Sequence, residues 1–167
     1  MKKVYLATDH AGFEAKNQIR NLLESDEFSS QYQVIDCGAF TLDPQDDYPD
    51  YISKAVQAVS QNPAGSCAIV FGGSGQGEAI VANKFKNIQA AVYYGGDPEI
   101  VKLSRQHNDA NVLSIGARFL PLENVEEIVR LWLDTDYSMA ARHTRRLQKI
   151  RAIEKSQKNL WNFFSNK

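Results

Sequence analysis

The densest chemical signal in the chain is Phe71-Gly72-Gly73-Ser74-Gly75-Gln76-Gly77-Glu78, with four glycines in six residues. Glycine has no Cβ, so such a segment turns sharply and lets its backbone approach a ligand. Its successive N–H groups point at one spot, and the start of a following helix reinforces them. The guest is an anion, either a phosphate or a negatively charged reaction intermediate, and Ser74 adds a hydroxyl donor. A simple tight turn is the bland alternative, weakened by so many glycines at the end of a strand. The spacing is not the GxGxxG dinucleotide fingerprint, and no P-loop Gly-Lys-Ser/Thr is present. Two roles are open to Glu78. It can place a negative charge on the helix N-terminus, or act as a general base facing a ligand held in the loop. Spacing alone leaves both open.

Other candidates sit at similar junctions. Asp9 and His10 follow an apolar run in Thr8-Asp9-His10-Ala11-Gly12. Asp9 suits an N-cap as well as a site. His10 either binds phosphate when protonated or idles in a loop. His107 lies in Arg105-Gln106-His107-Asn108-Asp109-Ala110-Asn111, and Arg118 follows the next apolar run. His143 stands among arginines, so all three histidines lie beside polar or basic residues rather than in core runs.

The elements that must position these groups follow one rhythm. Residues 4–8, 34–38, 68–71, 90–94 and 112–116 are short runs rich in apolar and β-branched types. Helix-compatible stretches follow at 13–24, 50–60, 77–84, 98–105 and 122–133. Near-continuous apolar strands alternating with amphipathic helices predict a parallel sheet covered on both faces. The expectation is an α/β chain: one three-layer α/β/α domain over 1–167 with about five parallel strands. Ligands of such sheets bind at the carboxyl ends of the strands. Residues 139–164 then read as one long basic helix with no strand after it. Leu147, Ile150, Ile153, Leu160, Trp161 and Phe164 suggest an apolar stripe for a partner chain, and the charge run is equally a solvated face.

Bulk properties narrow the classes. The 167 residues, 43% hydrophobic and 23% charged, suit one compact domain. A formal net charge of −1 leaves no basic excess for nucleic acid. No apolar run is long enough to span a membrane. The first ten residues lack the apolar core of a signal peptide, because Asp9 and His10 interrupt them, so a cytoplasmic protein is expected. Cys37 and Cys67 lie in apolar runs at unrelated spacing, which fits reduced buried thiols rather than a disulfide or metal site.

Several signatures in order resemble one family. They are Asp9-His10-Ala11-Gly12-Phe13, Asp47-Tyr48-Pro49, Gly73-Ser74-Gly75-Gln76-Gly77, Ala82-Asn83-Lys84, Ser104 through Leu113, and Arg142-His143 with Arg146. The chain resembles the ribose-5-phosphate isomerase B and galactose-6-phosphate isomerase family. The resemblance implies a Rossmann-like sandwich that assembles as a homodimer or tetramer with shared sites. It implies interconversion of aldose and ketose phosphates with no metal and no organic cofactor. It implies that Glu78 moves the proton between two sugar carbons, while Gly73, Gly75, Gly77 and Ser74 hold the enediolate oxygen. Asp9 and His107 would assist ring opening and proton movement on the oxygens. His10, Arg118, Arg142 and Arg146 would hold the phosphate, the last two reaching across the dimer, and Tyr48 and Asn108 would line the sugar. Many members of the family carry a cysteine base where this chain has Gly72. Cys67, at the other end of its strand, is no substitute, so the chain resembles the glutamate type.

Three functions stand in view. The first is isomerisation of ribose 5-phosphate and ribulose 5-phosphate. The second is the same reaction on a six-carbon or deoxy phosphosugar. The third is a flavodoxin-like module that binds phosphate or nucleotide without turnover.

Overall fold

The computed structural model describes the backbone of residues 1–165 and the side chains of residues 1–156. Five strands, β1 (Lys2–Thr8), β2 (Tyr32–Asp36), β3 (Ser66–Gly72), β4 (Ala90–Tyr93) and β5 (Val112–Gly116), form one sheet in the order β2-β1-β3-β5-β4. All four pairings are parallel. Parallel neighbours need crossovers, and helices α1 (Phe13–Glu24), α2 (Tyr48–Gln61), α3 (Gln76–Ala82) and α4 (Glu99–Asn108) supply them. Helix α5 (Leu122–Leu133) follows the last strand, and α6 (Ala141–Ser165) ends the described chain.

Alternation along the strands builds two cores. Val4, Leu6, Ile69, Phe71, Leu113 and Ile115 face α1, α4 and α5, where Ile19, Leu23, Val101, Val125, Ile128 and Trp132 meet them. Ala7, Ala68, Val70 and Val112 face Ile52, Val56 and Val59 of α2 and Ala82 of α3. The result is the expected three-layer α/β/α sandwich. Every residue of the central strand β3 is buried, as a strand covered on both faces requires.

Strand β2 lies two residues earlier than the apolar run suggested. Asp36 ends it by turning its carboxylate onto the Gly38 N–H, 2.9 Å away, and Gly38 takes φ +104°. The same carboxylate receives the ammonium of Lys16 at 2.6 and 2.7 Å. Lys16 is fully buried on α1, and its Nζ also donates to the Ala39 carbonyl at 2.8 Å. A buried ammonium is tolerated only when paired and bonded in this way. The pair ties α1 to the loop that leads into α2. Helix α4 runs on to Asn108 and closes at Asp109 with φ +47°.

Helix α6 divides the expected stripe between its own chain and solvent. Leu147 and His143 turn inward on their own chain, with 4% and 3% of their surface exposed, while Ile150 and Ile153 remain about half exposed. A step of four turns about 40° one way round the helix and a step of three about 60° the other, so the successive steps of three from Leu147 to Ile150 and Ile153 carry the stripe progressively off the inward face. Leu160, Trp161 and Phe164 lie outside the described side chains. Cys67 is buried and Cys37 only half-buried, and both are free thiols. Among the described residues no helix is long and apolar enough to cross a membrane.

Candidate active site

Parallel strands put all their carboxyl ends on one edge. The sheet order reverses between β1 and β3, which opens a crevice there. Asp9 and His10 follow β1, the glycine loop follows β3, and Arg118 follows β5, so all reach this edge.

The loop is held by its neighbours. Gly75 sits in the left-handed region at φ +75° as the N-cap of α3. A Cβ on Gly116 would lie 2.7 Å from the Ser74 carbonyl oxygen, so β5 admits the loop only because it ends in glycine. Ser114, fully buried in β5, donates through Oγ to the Gly75 carbonyl at 2.6 Å. In a trans peptide the carbonyl and the next N–H point opposite ways. Anchoring that carbonyl inward therefore turns the Gln76 N–H outward, where it lies 3.4 Å from Ser74 Oγ. The N–H groups of Ala117 and Arg118 donate to the carbonyls of Gly72 and Gly73 at 2.9 and 3.2 Å. The Arg118 guanidinium stands beside Gly73, 3.5 Å from where a Cβ would be. Tyr48 comes over the loop from the start of α2, its hydroxyl 2.7 Å from the Cβ that Gly77 lacks.

Glu78 lies inside the edge crevice rather than in solvent. A glutamate that only complements a helix dipole has no reason to leave water. Glu78 has 4% of its surface exposed and folds back over Gly72. A Cβ at residue 72 would lie 1.8 Å from Oε1. The carboxylate thus occupies the space a side chain at 72 would claim. Burial pushes its carboxyl above the ordinary value and the charge of Asp9 adds to this, while its own backbone N–H opposes both. That balance, open from the sequence, tilts upward.

Asp9 is also buried, and it does cap the turn at His10–Gly12, accepting the Ala11 N–H at 2.9 Å. Asp46, which carries no signal in the sequence, lies against His10 and accepts from both its backbone N–H and its ring Nδ1. Asp9, His10 and Asp46 offer ligand atoms within 4.8 Å of one another. Two of them are already bonded to each other and the third to backbone, so the trio reads as a hydrogen-bond network rather than a metal centre.

The remaining candidates lie elsewhere. His107 and Asn108 end α4, which precedes β5, and this places them at the amino edge of the sheet. The register sets Val112 beside Ala68 and Gly116 beside Gly72, so four residue rises, about 13 Å, separate the two edges. His107 stacks on His143 at 4.1 Å with 12° between the rings. Arg142 Nε donates to His143 Nε2 at 3.0 Å, so that nitrogen is unprotonated. Burial pushes the His143 imidazole down, and His107, Arg142 and Arg146 push it further. His143 keeps the polar neighbours expected of it, His107 and Arg142, but is buried among them. Arg142, Arg146 and Asn108 face solvent. The candidates therefore fall into two groups on opposite edges: Asp9, His10, Tyr48, the loop, Glu78 and Arg118 on one, and His107, Asn108, Arg142 and Arg146 on the other.

A glycine-rich loop facing a buried carboxylate at the edge of an open parallel sheet can hold an anion beside a proton acceptor. The family model described as Ribose/Galactose Isomerase matches residues 4–150. The chain is 40% identical over 154 residues to the ribose-5-phosphate isomerase B of Mycolicibacterium paratuberculosis, covering 92% of each. It is 39% identical over 155 residues to that of Escherichia coli, covering 92% of this chain and 97% of the relative. Ribose-5-phosphate isomerase B from Mycoplasma genitalium, solved with bound ribulose-5-phosphate, superposes with a TM-score of 0.84 at 33% identity. The match covers 92% of this chain and 96% of that one. The chain belongs to the ribose/galactose isomerase family.

Proposed function

We propose that this protein interconverts ribose 5-phosphate and ribulose 5-phosphate through an enediolate, as a cytoplasmic enzyme whose sites are shared between two copies of the chain. The observation that carries the reading is the Glu78 carboxylate folded over Gly72 beside the loop. Its position lets one carboxylate serve both carbons. Glu78 takes the C2 proton of the open-chain aldose; the C–H electrons form the C1–C2 double bond and negative charge moves onto O1. The same carboxyl then returns a proton to C1 while the O2 proton is passed to O1, so that C2 becomes the carbonyl and C1 carries the hydroxyl of the ketose. N–H groups of the loop and Ser74 hold the developing charge. Preorganised donors of this kind contribute about 3–4 kcal/mol each. The raised carboxyl suits a base that must also give its proton back.

His10 and Arg118 receive the phosphate from the near side. The far-side groups cannot reach Glu78 within one chain. A second copy that presents His107, Asn108, Arg142 and Arg146 to this crevice completes it, with its own crevice completed in return. Asp9 and the partner copy's imidazole then handle the protons of ring opening.

The test is turnover of ribose 5-phosphate to ribulose 5-phosphate by the purified chain with no metal added. Absence of turnover, with activity on a six-carbon phosphosugar, would reassign the substrate. Sharing of the site makes a separate prediction. Glu78→Gln and His107→Ala are each expected to be nearly inactive. Dissociated, mixed in equal amounts and reassociated, they should recover about a quarter of wild-type activity, because half the dimers are mixed and each has one intact site. Mixed dimers that form but stay as inactive as the parents would rule out the shared site.

A further inference from the structure

We propose that Asp46 is a positioning residue that fixes the ring of His10 so that Nε2 meets the substrate's phosphate. The inference rests on the reading of His10 as a phosphate ligand. One oxygen of Asp46, Oδ1, receives two donors from the same residue: the His10 backbone N–H at 2.9 Å and ring Nδ1 at 2.7 Å. A carboxylate oxygen only accepts, so Nδ1 carries its hydrogen and the ring is held in one tautomer and one rotamer. Nε2 is left as the nitrogen without a hydrogen-bond partner among the described residues, on a ring that stays 28% exposed. When a phosphate oxygen shares a proton with Nε2, the positive charge this places on the ring sits directly against Asp46.

The second oxygen argues against a merely structural role. The Asp46 side chain is only 6% exposed, and its Oδ2 is buried without any partner. An orphaned buried carboxylate oxygen destabilises a fold. A residue kept only to tie the loop before α2 to the loop after β1 would do better as a neutral amide. What the carboxylate adds is a charge behind His10.

Steady-state kinetics on four variants test this. His10→Ala is expected to raise KM about tenfold with kcat little changed, the size of one charge-assisted hydrogen bond. Asp46→Ala should raise KM to a similar extent. In Asp46→Asn, whose amide oxygen can accept the same two hydrogens, KM should fall back part of the way. Asp46→Ala should add nothing in the His10→Ala background. Nitrogen-15 NMR of the resting protein should show the Nδ1–H tautomer of His10 in wild type and Asp46→Asn, and loss of that preference in Asp46→Ala. Melting temperature should not fall in Asp46→Asn. If His10→Ala leaves KM unchanged, the phosphate reading of His10 fails and the inference falls with it. If His10→Ala raises KM and Asp46→Ala does not, or the two effects add in full, the inference alone fails. Should Asp46→Ala not fold, an Nε2–H tautomer at His10 in wild type would overturn the proposal by itself.

Discussion

Glu78→Gln is expected to lower kcat by about 10²- to 10⁴-fold, the usual contribution of a positioned general base. Glutamine keeps the shape and can still hydrogen bond, so KM should change little; a loss spread equally into KM would point to a binding role instead. Wild-type activity should fall on the acid side as the carboxyl takes up its proton, at a pH above the ordinary carboxyl value of 4.5. The same shift has a consequence for stability. Folding raises the Glu78 carboxyl, so across the window between its unfolded and folded values the folded chain holds more protons. Its contribution to stability is fully present below the unfolded value and is lost as pH rises through the folded one. Glutamine mimics the protonated form. Glu78→Gln should therefore melt higher than wild type at neutral pH, and the gain should vanish below the ordinary value. A variant less stable than wild type at neutral pH, or a gain independent of pH, would show that burial does not strain this carboxylate.

Gly72→Ala should abolish activity almost as completely, although alanine at 72 contributes no chemistry. Its Cβ would lie 1.8 Å from Glu78 Oε1 and 2.1 Å from Cδ. No heavy atoms pack that closely, so the carboxylate must leave its place over the loop or the strand must move. Overpacking of a filled site costs about 1–3 kcal/mol. The decisive measurement is the double variant. With Glu78→Ala already present the obstacle is gone, and adding Gly72→Ala should then cost little stability. If Gly72→Ala destabilises as much in that background as in wild type, the clash lies with the strand and not with Glu78. The interlock also explains why a chain with glutamate at 78 carries no side chain at 72: one space holds one functional group, from either direction along the chain.

Much of this was legible in the residues. The alternation of apolar runs with amphipathic stretches was enough for five parallel strands between two helical layers, because a strand covered on both faces has little choice of residue type. Helices at 13–24 and 122–133 and the strand at 112–116 fell on their sequence-derived bounds. Edge membership was legible too: whatever follows a strand in a parallel sheet lies at its carboxyl end, which grouped Asp9, His10, the glycine loop and Arg118. The same logic, applied to α4 before β5, places His107 and Asn108 at the opposite edge, away from the catalytic partner the family resemblance implied for them.

Other features had no sequence signal. Lys16 sits in an amphipathic helix where a lysine normally faces water, and only the meeting of α1 with the end of β2 gives it Asp36. Asp46 and Asp47 are adjacent and alike in type, yet only Asp46 reaches His10. Ser114 looks like any strand residue until β5 passes under the Gly75 carbonyl. Local periodicity determines elements and the edge to which each residue belongs, because backbone hydrogen bonding and burial act on neighbours in sequence. The path of a side chain across a gap of a few ångströms depends on what packs against it from distant segments. For Glu78, Asp46 and His143 that decision belonged to the tertiary structure alone.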